Sequence, residues 1–409
     1  MSINDLVKSR KQHPIRRAYI KRKLVDGTYE SDWFRIDYLQ GLDRVLDWGS
    51  FSLELDFQPG EIGNFEISGM TMVMDNQHAL FNSEVDSRSI FYPEFTYSNR
   101  RYTKIKIECG YLDEDTNTEV GVETVFEGII ERVTLSEDQT ASLELLPYTA
   151  ILNSYLIVDL GLNGTATVSS VITSIMNQSK ITEYIPYIEP TNTFDPQVIQ
   201  LANLEGTYWD IIKQLAQQSD SVPLLNGSSF EFKDRSANSV TWNFLGLGNV
   251  TQDIHTVTSY DDEGADRVRL FWQAEGSTVT AISSDSALKI KYLNSPQIIN
   301  LDNYNNSTKQ SILNKLLATW ETPRPSVSFT TNFMINIVSL LDKITLKISG
   351  PAYPINTTKW GGGHKWGDGI KWGEARGAVN ISSGTYWMVT RIVKNINEWM
   401  FEIHSEKVV

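Results

Sequence analysis

The most distinctive chemical feature of the sequence is a Lys-Trp-Gly tripeptide that occurs three times, at six-residue spacing, in a glycine-rich stretch at 356–376. Indole rings and ammonium groups repeated on tight turns can contact sugars, carboxylates or other rings. The favoured alternative is a loop that buries its Trp side chains against its own domain or a neighbouring subunit, because three exposed Trp would promote aggregation. The candidate contact residues are Lys359, Trp360, Lys365, Trp366, Lys371 and Trp372.

A second chemical feature is the concentration of positive charge at the N-terminus. Residues 1–23 hold eight Lys or Arg and one acid, a net charge of about +7, whereas the whole chain carries −14 and the remainder therefore about −21. A basic arm, assigned to residues 1–28, beside an acidic body predicts docking on an acidic protein neighbour, and a solvated terminus is the alternative. The expected docking residues are Arg16, Arg17, Lys21, Arg22 and Lys23.

Two expectations follow from this uneven charge. The acidic body repels phosphates, so DNA close to this protein would not be bound. The arm contributes only weak, salt-screened ion pairs, so we expect deletion of residues 1–23 to leave monomer melting nearly unchanged and to weaken attachment to a partner.

The spacing of reactive residues does not indicate a catalytic or nucleotide site. The five His residues are scattered, and the chain lacks the serine-hydrolase elbow, the phosphate-binding loop and the dinucleotide fingerprint. The acidic run 113–119 resembles the start of a calcium loop, but Thr118 replaces the required Gly and Thr124 the final Glu, so a solvated hairpin tip is favoured and a metal there stays open. The single cysteine, Cys109, fits a small buried strand residue. We therefore predict a protein that is not an enzyme and uses no cofactor.

The composition is that of a folded protein with several domains. Its 409 residues are enough for two to four domains of the usual roughly 100 to 200 residues each. Apolar residues make up 41% of the chain and aromatic residues 11%, which is enough to fill large cores. The sequence contains no apolar run long enough to span a membrane and no secretory leader. A single cysteine excludes an intrachain disulfide framework and suits a reducing cytoplasm.

Alternation of apolar and polar residues with period two dominates the first third of the chain. It predicts a compact antiparallel β domain over residues 29–150. The segments 125–133 and 140–146 form a predicted hairpin around a turn at 136–139. Residues 151–250 have a different pattern and are expected to form an α+β insert.

The insert contains two predicted helices followed by a hairpin. Residues 167–178 place their apolar side chains on one helix face. A second helix begins at Thr207, which has capping-box spacing to Asp210. The hairpin that follows is expected to turn at Asn226 and Gly227.

Residues 251–409 return to a strand pattern and contain one predicted helix, at 307–320. Ser307 and Gln310 have the spacing of a capping box at its start. The clearest strand of this region is 266–272, and further strands are predicted at 327–333, 342–348, 384–394 and 399–404. The predicted fold is mainly β with an α+β insertion: two antiparallel β domains and a small helix-hairpin domain.

Four segments of the chain follow one another in a characteristic order: VFEGIIERVTLSEDQTASLEL, TYWDIIKQLAQQSDSVPLLNGSSFEFKDR, DEGADRVRLFW and SGTYWMVTRIVKNINEWMFEI. This order resembles that of the baseplate hub, or tail-tip hub, proteins of tailed phages and related injection systems. The likeness covers parts of residues 50–150, 200–275 and 335–405. It implies two tail-tube-like antiparallel β-barrel domains that alternate with smaller α+β insertions.

The resemblance implies a structural virion protein of the tail tip or baseplate, made in the host bacterial cytoplasm. It would form a ring, as a trimer in preference to a hexamer, that caps or continues the tail tube, adapts its symmetry to the tip and leaves a channel for DNA. Expected partners are copies of itself, the tail tube or distal tail protein and a central spike or fibre, with no membrane anchor. The charge of the body predicts an acidic channel face. Two alternatives are a hexameric distal tail protein and a carbohydrate-binding receptor-recognition protein that uses the Trp-rich stretch.

Overall fold

The computed structural model of the chain is mainly β, with two large sheets and an α+β unit between them in sequence. Within the part of the chain that the structure describes, no helix is long and apolar enough to cross a membrane. The described residues are 12–24, 26–55, 65–82, 86–92, 102–155, 164–199, 204, 206–236, 238–239, 241–246, 254, 256–261, 273–276, 278–282, 284, 297–320, 324–331, 338–348, 381 and 384–408.

The first large sheet is antiparallel and comes from the N-terminal third of the chain. The strands of this region are β1 (Gln12–Lys21), β2 (Phe34–Arg35), β3 (Tyr38–Leu39), β4 (Leu42–Asp43), β5 (Val45–Asp47), β6 (Ser50–Leu55), β7 (Phe65–Ile67), β8 (Met70–Asp75), β9 (Lys104–Asp113), β10 (Thr118–Leu135) and β11 (Thr140–Pro147). Seven of them form the sheet, in the order β2-β1-β9-β10-β11-β8-β5. The predicted hairpin is confirmed, because β10 pairs with β11 up to Leu135 opposite Ala141.

A short segment between β2 and β5 closes this sheet into a barrel. These strands lie at opposite edges of the sheet, yet only residues 36–44 separate them in sequence. The Ile36 N–H donates to the carbonyl of Ala18 on β1 at 2.8 Å, and the Asp75 N–H on β8 donates to the carbonyl of Arg44 at 2.7 Å. The segment therefore bonds to strands on both sides of the seam, and the Arg44 N–H donates to the carbonyl of Asp37 at 2.7 Å, which joins the two sides.

Buried charges fix the conformation of the closing segment. The Asp37 carboxylate accepts from the Ala18 N–H at 2.9 Å and from the Arg35 guanidinium at 2.8 Å. The Arg44 side chain is fully buried and donates to the carboxylate of Asp75 at 2.7 Å. Breaking such a pair is costly, because the remaining charge is left buried without compensation.

The predicted basic arm at residues 1–28 is corrected by the structure. Strand β1 pairs with β9 along its whole length, from Gln12 opposite Asp113 to Lys21 opposite Lys104. The β1 residues Ala18 and Ile20 are fully buried in the core. The Lys and Arg residues of this segment led to the prediction of an arm instead of a strand. Only one face of a strand points inward, so the outward positions tolerate Lys and Arg. Residues 12–21 are therefore a strand of the sheet, so the structure argues against the expectation that residues 1–23 can be removed without loss of monomer stability.

The central unit confirms the predicted helices and hairpin. Its elements are α1 (Thr149–Asn153), β12 (Ala166–Thr167), α2 (Val168–Met176), α3 (Ser179–Thr182), β13 (Tyr187–Pro190), β14 (Gln197–Val198), α4 (Tyr208–Gln218), β15 (Ser221–Asn226) and β16 (Ser229–Asp234). The capping box is present: the Thr207 hydroxyl accepts from the Asp210 N–H, and the Asp210 carboxylate accepts from the Thr207 N–H, both at 3.1 Å. The hairpin turns one residue later than predicted, because Asn226 is already paired with Ser229.

The C-terminal region contains the second large sheet and the last helix. Its elements are β17 (Thr241–Gly246), β18 (Thr256–Asp261), β19 (Gln273–Gly276), β20 (Val279–Ile282), β21 (Gln297–Ile298), α5 (Asn306–Trp320), β22 (Ser326–Thr331), β23 (Lys343–Ile348), β24 (Tyr386–Asn395) and β25 (Met400–Lys407). Helix α5 is capped by Asn305 instead of Ser307, since the Asn305 side chain accepts from the Thr308 N–H at 2.9 Å. The predicted strand 266–272 lies outside the described residues.

The two large sheets share one strand order. The main path of the second sheet is β17-β23-β24-β25-β22-β18. When these six strands are numbered 1 to 6 in chain order, their order across the sheet is 1-4-5-6-3-2. The path β1-β9-β10-β11-β8-β5 of the first sheet, numbered in the same way, has the same order. Neighbouring strands are antiparallel in both paths, except that β17 is parallel to β23. The mainly β class with a repeated β domain is therefore confirmed.

In each domain, the connection between the second and third of these six strands, β5 to β8 and β18 to β22, contains additional elements. In the second domain these elements are β19–β21 and α5, whereas in the first they are β6 and β7. Strand β6 pairs with β24 of the second sheet, with Glu54 opposite Arg391 and Ser50 opposite Asn395, and β7 pairs with β6. The predicted boundaries 29–150 and 251–409 therefore do not separate the sheets. Alternation identifies a strand but does not identify its partner.

Deleting residues 1–23 is expected to prevent the first barrel from folding, because β1 supplies a strand of its sheet. Circular dichroism with thermal melting, together with limited proteolysis, measures the effect. The matched control is deletion of residues 1–11, which precede β1 and should leave the melting transition close to that of the full chain. A 1–23 deletion that melts like the full chain would contradict the placement of β1.

The Asp75→Asn substitution is expected to lower the free energy of unfolding by about 3 kcal/mol, because it leaves the Arg44 guanidinium buried without its counter-charge. Denaturant unfolding followed by fluorescence measures this change. The control is Glu144→Gln, which removes a carboxylate from an exposed pair with Arg132 and should cost at most about 1 kcal/mol. Equal effects of the two substitutions would show that burial of Arg44 is not decisive.

Candidate interaction surfaces

The two β domains meet along β6 and β24, and aromatic side chains reinforce the joint. Phe51 of β6 packs edge-on against Phe126 of β10, with ring centroids 5.2 Å apart. Trp399, in the turn before β25, packs in the same way against Tyr111 of β9 at 5.6 Å. Backbone hydrogen bonds and ring contacts therefore hold the two domains together.

Three of the residues predicted to dock on another protein, Arg16, Arg17 and Lys21, lie close to side chains of their own chain. The Arg16 guanidinium lies over the ring of Trp399, 5.2 Å from its centroid. Arg17 forms an ion pair with Glu119 on β10. The Lys21 ammonium lies 6.0 Å from a tryptophan ring, at the limit of a cation–π contact.

The other two predicted docking residues are also engaged. Arg22 forms an ion pair with Glu30 and donates to the Ile90 carbonyl at 3.0 Å. The Lys23 ammonium lies 3.1 Å from the carboxylate of Glu183 in the central unit. The structure therefore brings the five basic residues together on β1 and just after it, where each contributes to the fold of its own chain.

The remaining sequence-based candidates form no site in the described part of the chain. The Lys-Trp-Gly repeat at 356–376 lies outside the described residues. The acidic run forms the β9–β10 hairpin tip, where Glu114 contacts His13 and Glu119 contacts Arg17. Among the described residues, no three His, Cys, Asp or Glu side chains are grouped to hold a metal ion. Cys109 is buried, and burial raises the pKa of its thiol to about 12, which disfavours the thiolate.

A cleft opens where the first β domain, the β15–β16 hairpin and the second β domain meet. Its volume is about 260 Å³, and apolar, uncharged polar and charged side chains all line it. Phe51, Phe65, Phe126, Leu224 and Leu340 are among its apolar residues. The charged residues are Glu123, Glu127, Glu231, Lys233, Asp342 and Lys394.

Lys394 differs from the other charged groups of the cleft because it is buried and lacks a hydrogen-bonded partner in the described part of the chain. Its side chain belongs to β24 and is 7% exposed. The ammonium lies 5.9 Å from the centroid of the Phe51 ring. Burial lowers the pKa of Lys394 to about 8, against the opposing influence of Cys109 and Glu123.

Three of the carboxylates in the cleft already have partners. Asp342 accepts hydrogen bonds from donors of the second domain at 2.8–3.2 Å. Glu231 pairs with Lys233 at 2.8 Å. Glu127 accepts from the hydroxyl of Tyr148 at 3.2 Å, and burial raises the pKa of its carboxyl group. These groups are therefore held in place, whereas the Lys394 ammonium has no such restraint.

The sequence analysis did not identify Lys394 as a candidate site residue, although the alternation of residues around it indicates that its side chain is buried. Ile392, Lys394 and Ile396 occupy alternate positions, and both isoleucines are buried. A lysine in phase with two buried isoleucines indicates an inward-facing charge. The cleft itself could not be predicted, because it depends on the β6–β24 pairing.

Comparison with known proteins gives matches in structure alone. No protein-family profile matches the chain, and no curated protein matches its sequence. The tail protein from Neisseria meningitidis MC58 superposes with a TM-score of 0.53 at 11% identity, covering 96% of each chain. A prophage tail protein from Listeria monocytogenes EGD-e has a TM-score of 0.49 at 11% identity, covering 95% of this chain and 94% of that one. The 43 kDa tail protein of prophage MuSo2 from Shewanella oneidensis has a TM-score of 0.46 at 10% identity, covering 96% and 97%. Over nearly its whole length, the chain therefore has the fold of the Neisseria tail protein.

Proposed function

We propose that this chain is a structural tail protein that forms a ring at the tail tip, as a baseplate hub. The observation that carries the proposal is the repeated strand order: one chain holds two β domains of the same order, joined through β6 and β24. The fold likeness to a tail protein over 96% of both chains supports it. The virion tail tip is the proposed location, and the proposed role is structural, without enzymatic activity.

Two β domains in one chain favour a trimeric ring over a hexameric one. Three copies would present six related domains, which matches a six-fold tail tube without requiring six chains. The ring would cap or continue the tube and leave an acidic channel through which DNA passes without being bound. A hexameric distal tail protein is the alternative that the same fold allows.

The edge strand of the second sheet, as far as the described residues show it, supports assembly between copies. Strand β18 ends the second sheet, and no strand of the described residues pairs with its outer side. Its Thr258 and Ser259 are exposed. An exposed edge of this kind can accept a strand from a neighbouring subunit, which is how sheets continue around a ring.

The basic residues and the Lys-Trp-Gly repeat are the proposed contacts with other proteins of the tail. Arg17 and Lys21 lie on the opposite face of β1 from the buried Ala18 and Ile20, so their remaining donors can reach an acidic neighbour. Residues 356–376 are the proposed contact at the tip. The expected neighbours are the tail tube or distal tail protein and a central spike or fibre.

Mass measurement of the purified assembly tests the proposed ring. We expect a particle of three times the 46.3 kDa chain mass in light scattering and native mass spectrometry, alone or with the tail-tube protein. A six-chain particle would favour the distal tail protein. A chain that stays monomeric at high concentration and with the tail-tube protein would contradict a ring.

Double substitution of Arg17 and Lys21 by Ala is expected to weaken assembly about two- to thirtyfold, because each of the two screened ion pairs contributes only about 0.2–1 kcal/mol. Analytical ultracentrifugation at low and high salt measures the change, and added salt should weaken the unchanged protein in the same direction. The control is Lys347→Ala, an exposed lysine on β23. Assembly that responds neither to the double substitution nor to salt would contradict electrostatic docking.

A further inference from the structure

The cleft between the two β domains and the β15–β16 hairpin contains a buried ammonium group that the proposed tail function does not use. We propose that this cleft is a binding site for a carboxylate group on an apolar stem, held by the ammonium of Lys394. The proposal does not depend on ring formation, because every residue of the site comes from one chain.

Strand pairing fixes the position of Lys394. It lies opposite Phe51 of β6 and opposite Phe401 of β25, so phenylalanines flank it on both neighbouring strands. Both rings are buried. The lysine stem is therefore confined between apolar groups. Lys394, whose ammonium has three N–H donors, is one of the residues that line the cleft.

The groups that face Lys394 from the packed strands do not neutralise it. Cys109 of β9 is a buried neutral thiol. Glu123 of β10 is exposed to solvent and acts on Lys394 only through its charge. The carboxylates of Asp342 and Glu127 are held by donors of their own, and Glu231 is paired with Lys233. A buried ammonium in this setting is stabilised by an incoming carboxylate, which supplies a charge-assisted acceptor.

The size and wall of the cleft define the ligand class. A volume of about 260 Å³ is below the roughly 300–1,000 Å³ of pockets for drug-sized ligands. The site therefore accepts a single side chain or a small acid. The apolar side chains of the lining, such as Phe51 and Phe126, can contact a hydrocarbon stem on that carboxylate. A free carboxylic acid and an acidic side chain of a bound peptide share this chemistry.

Binding should depend on pH in a defined direction. A carboxylate is attracted to the charged form of Lys394, and burial lowers the pKa of this lysine to about 8 in the empty cleft. Affinity is therefore highest well below pH 8, where Lys394 is fully charged and the ligand is still ionised, and it falls as the pH rises through and above that value. A bound carboxylate would in turn raise the pKa of Lys394, because it favours the charged form.

Calorimetric titration of the full-length protein tests the proposal at pH 6.5 and at pH 9.5. The probes are hexanoate and its neutral amide, and the capped tripeptides Leu-Glu-Leu and Leu-Gln-Leu. We expect one or both acidic probes to bind, and the neutral probes to bind at least about tenfold more weakly. The affinity of the Lys394→Met variant for the acidic probes should be lower by a similar factor. The affinity of the unchanged protein at pH 9.5 should be lowered in the same way. The Lys347→Met variant should bind like the unchanged protein.

The Glu123→Gln variant distinguishes a Lys394 that binds the ligand from a Lys394 that only supports the fold. Removing this nearby negative charge should strengthen the binding of the acidic probes several-fold. Hexanoate binding alone assigns the site to free acids, and tripeptide binding alone assigns it to acidic peptides. Absence of binding by both acidic probes would overturn the proposal. Equal binding by a folded Lys394→Met variant, or no change in the Lys394 ¹³Cε signal on ligand addition, would also overturn it.

Discussion

The backbone ladder between β6 and β24 is the interaction on which the rest of the architecture depends. It runs from Glu54 opposite Arg391 to Ser50 opposite Asn395. Because sheet hydrogen bonds are directional and regularly spaced, this ladder sets both the distance and the register between the two β domains. The Phe51–Phe126 contact and the cleft that contains Lys394 exist only because this register holds. Single side chains refine the joint, but main-chain hydrogen bonds determine it.

The closing segment of the first barrel shows how the same fold protects its edges. A twisted antiparallel sheet leaves two open edges, and here residues 36–44 bond to strands on both sides. The segment carries buried charges, and each has a partner: Asp37 with Arg35, and Arg44 with Asp75. Such pairs add little net stability compared with apolar packing, but they are demanding in geometry. They therefore favour one path of the chain across the seam.

Local pattern predicted the elements well and their partners poorly. The capping residues Thr207 and Asp210 and the alternation around the β10–β11 hairpin are encoded by neighbours in sequence, and the structure confirms them. The basic residues of β1 concealed a core strand, because charge at outward positions resembles that of a solvated arm. The residues around β6 contain no feature that indicates its pairing with a strand near the C-terminus. The cleft and Lys394 follow from that pairing, so they too lay beyond what alternation alone can indicate.

The separation of β6 from β24 along the chain has a consequence for synthesis. Glu54 and its partner Arg391 are about 340 residues apart. At a translation rate of roughly 5–20 residues per second, β24 leaves the ribosome roughly 20–70 s after β6. During that time β6 lacks the strand that pairs with its edge, although Phe51 can already pack on Phe126 of the first domain. An unpaired strand edge can associate with other chains, so this hazard ends only after the last strands are made.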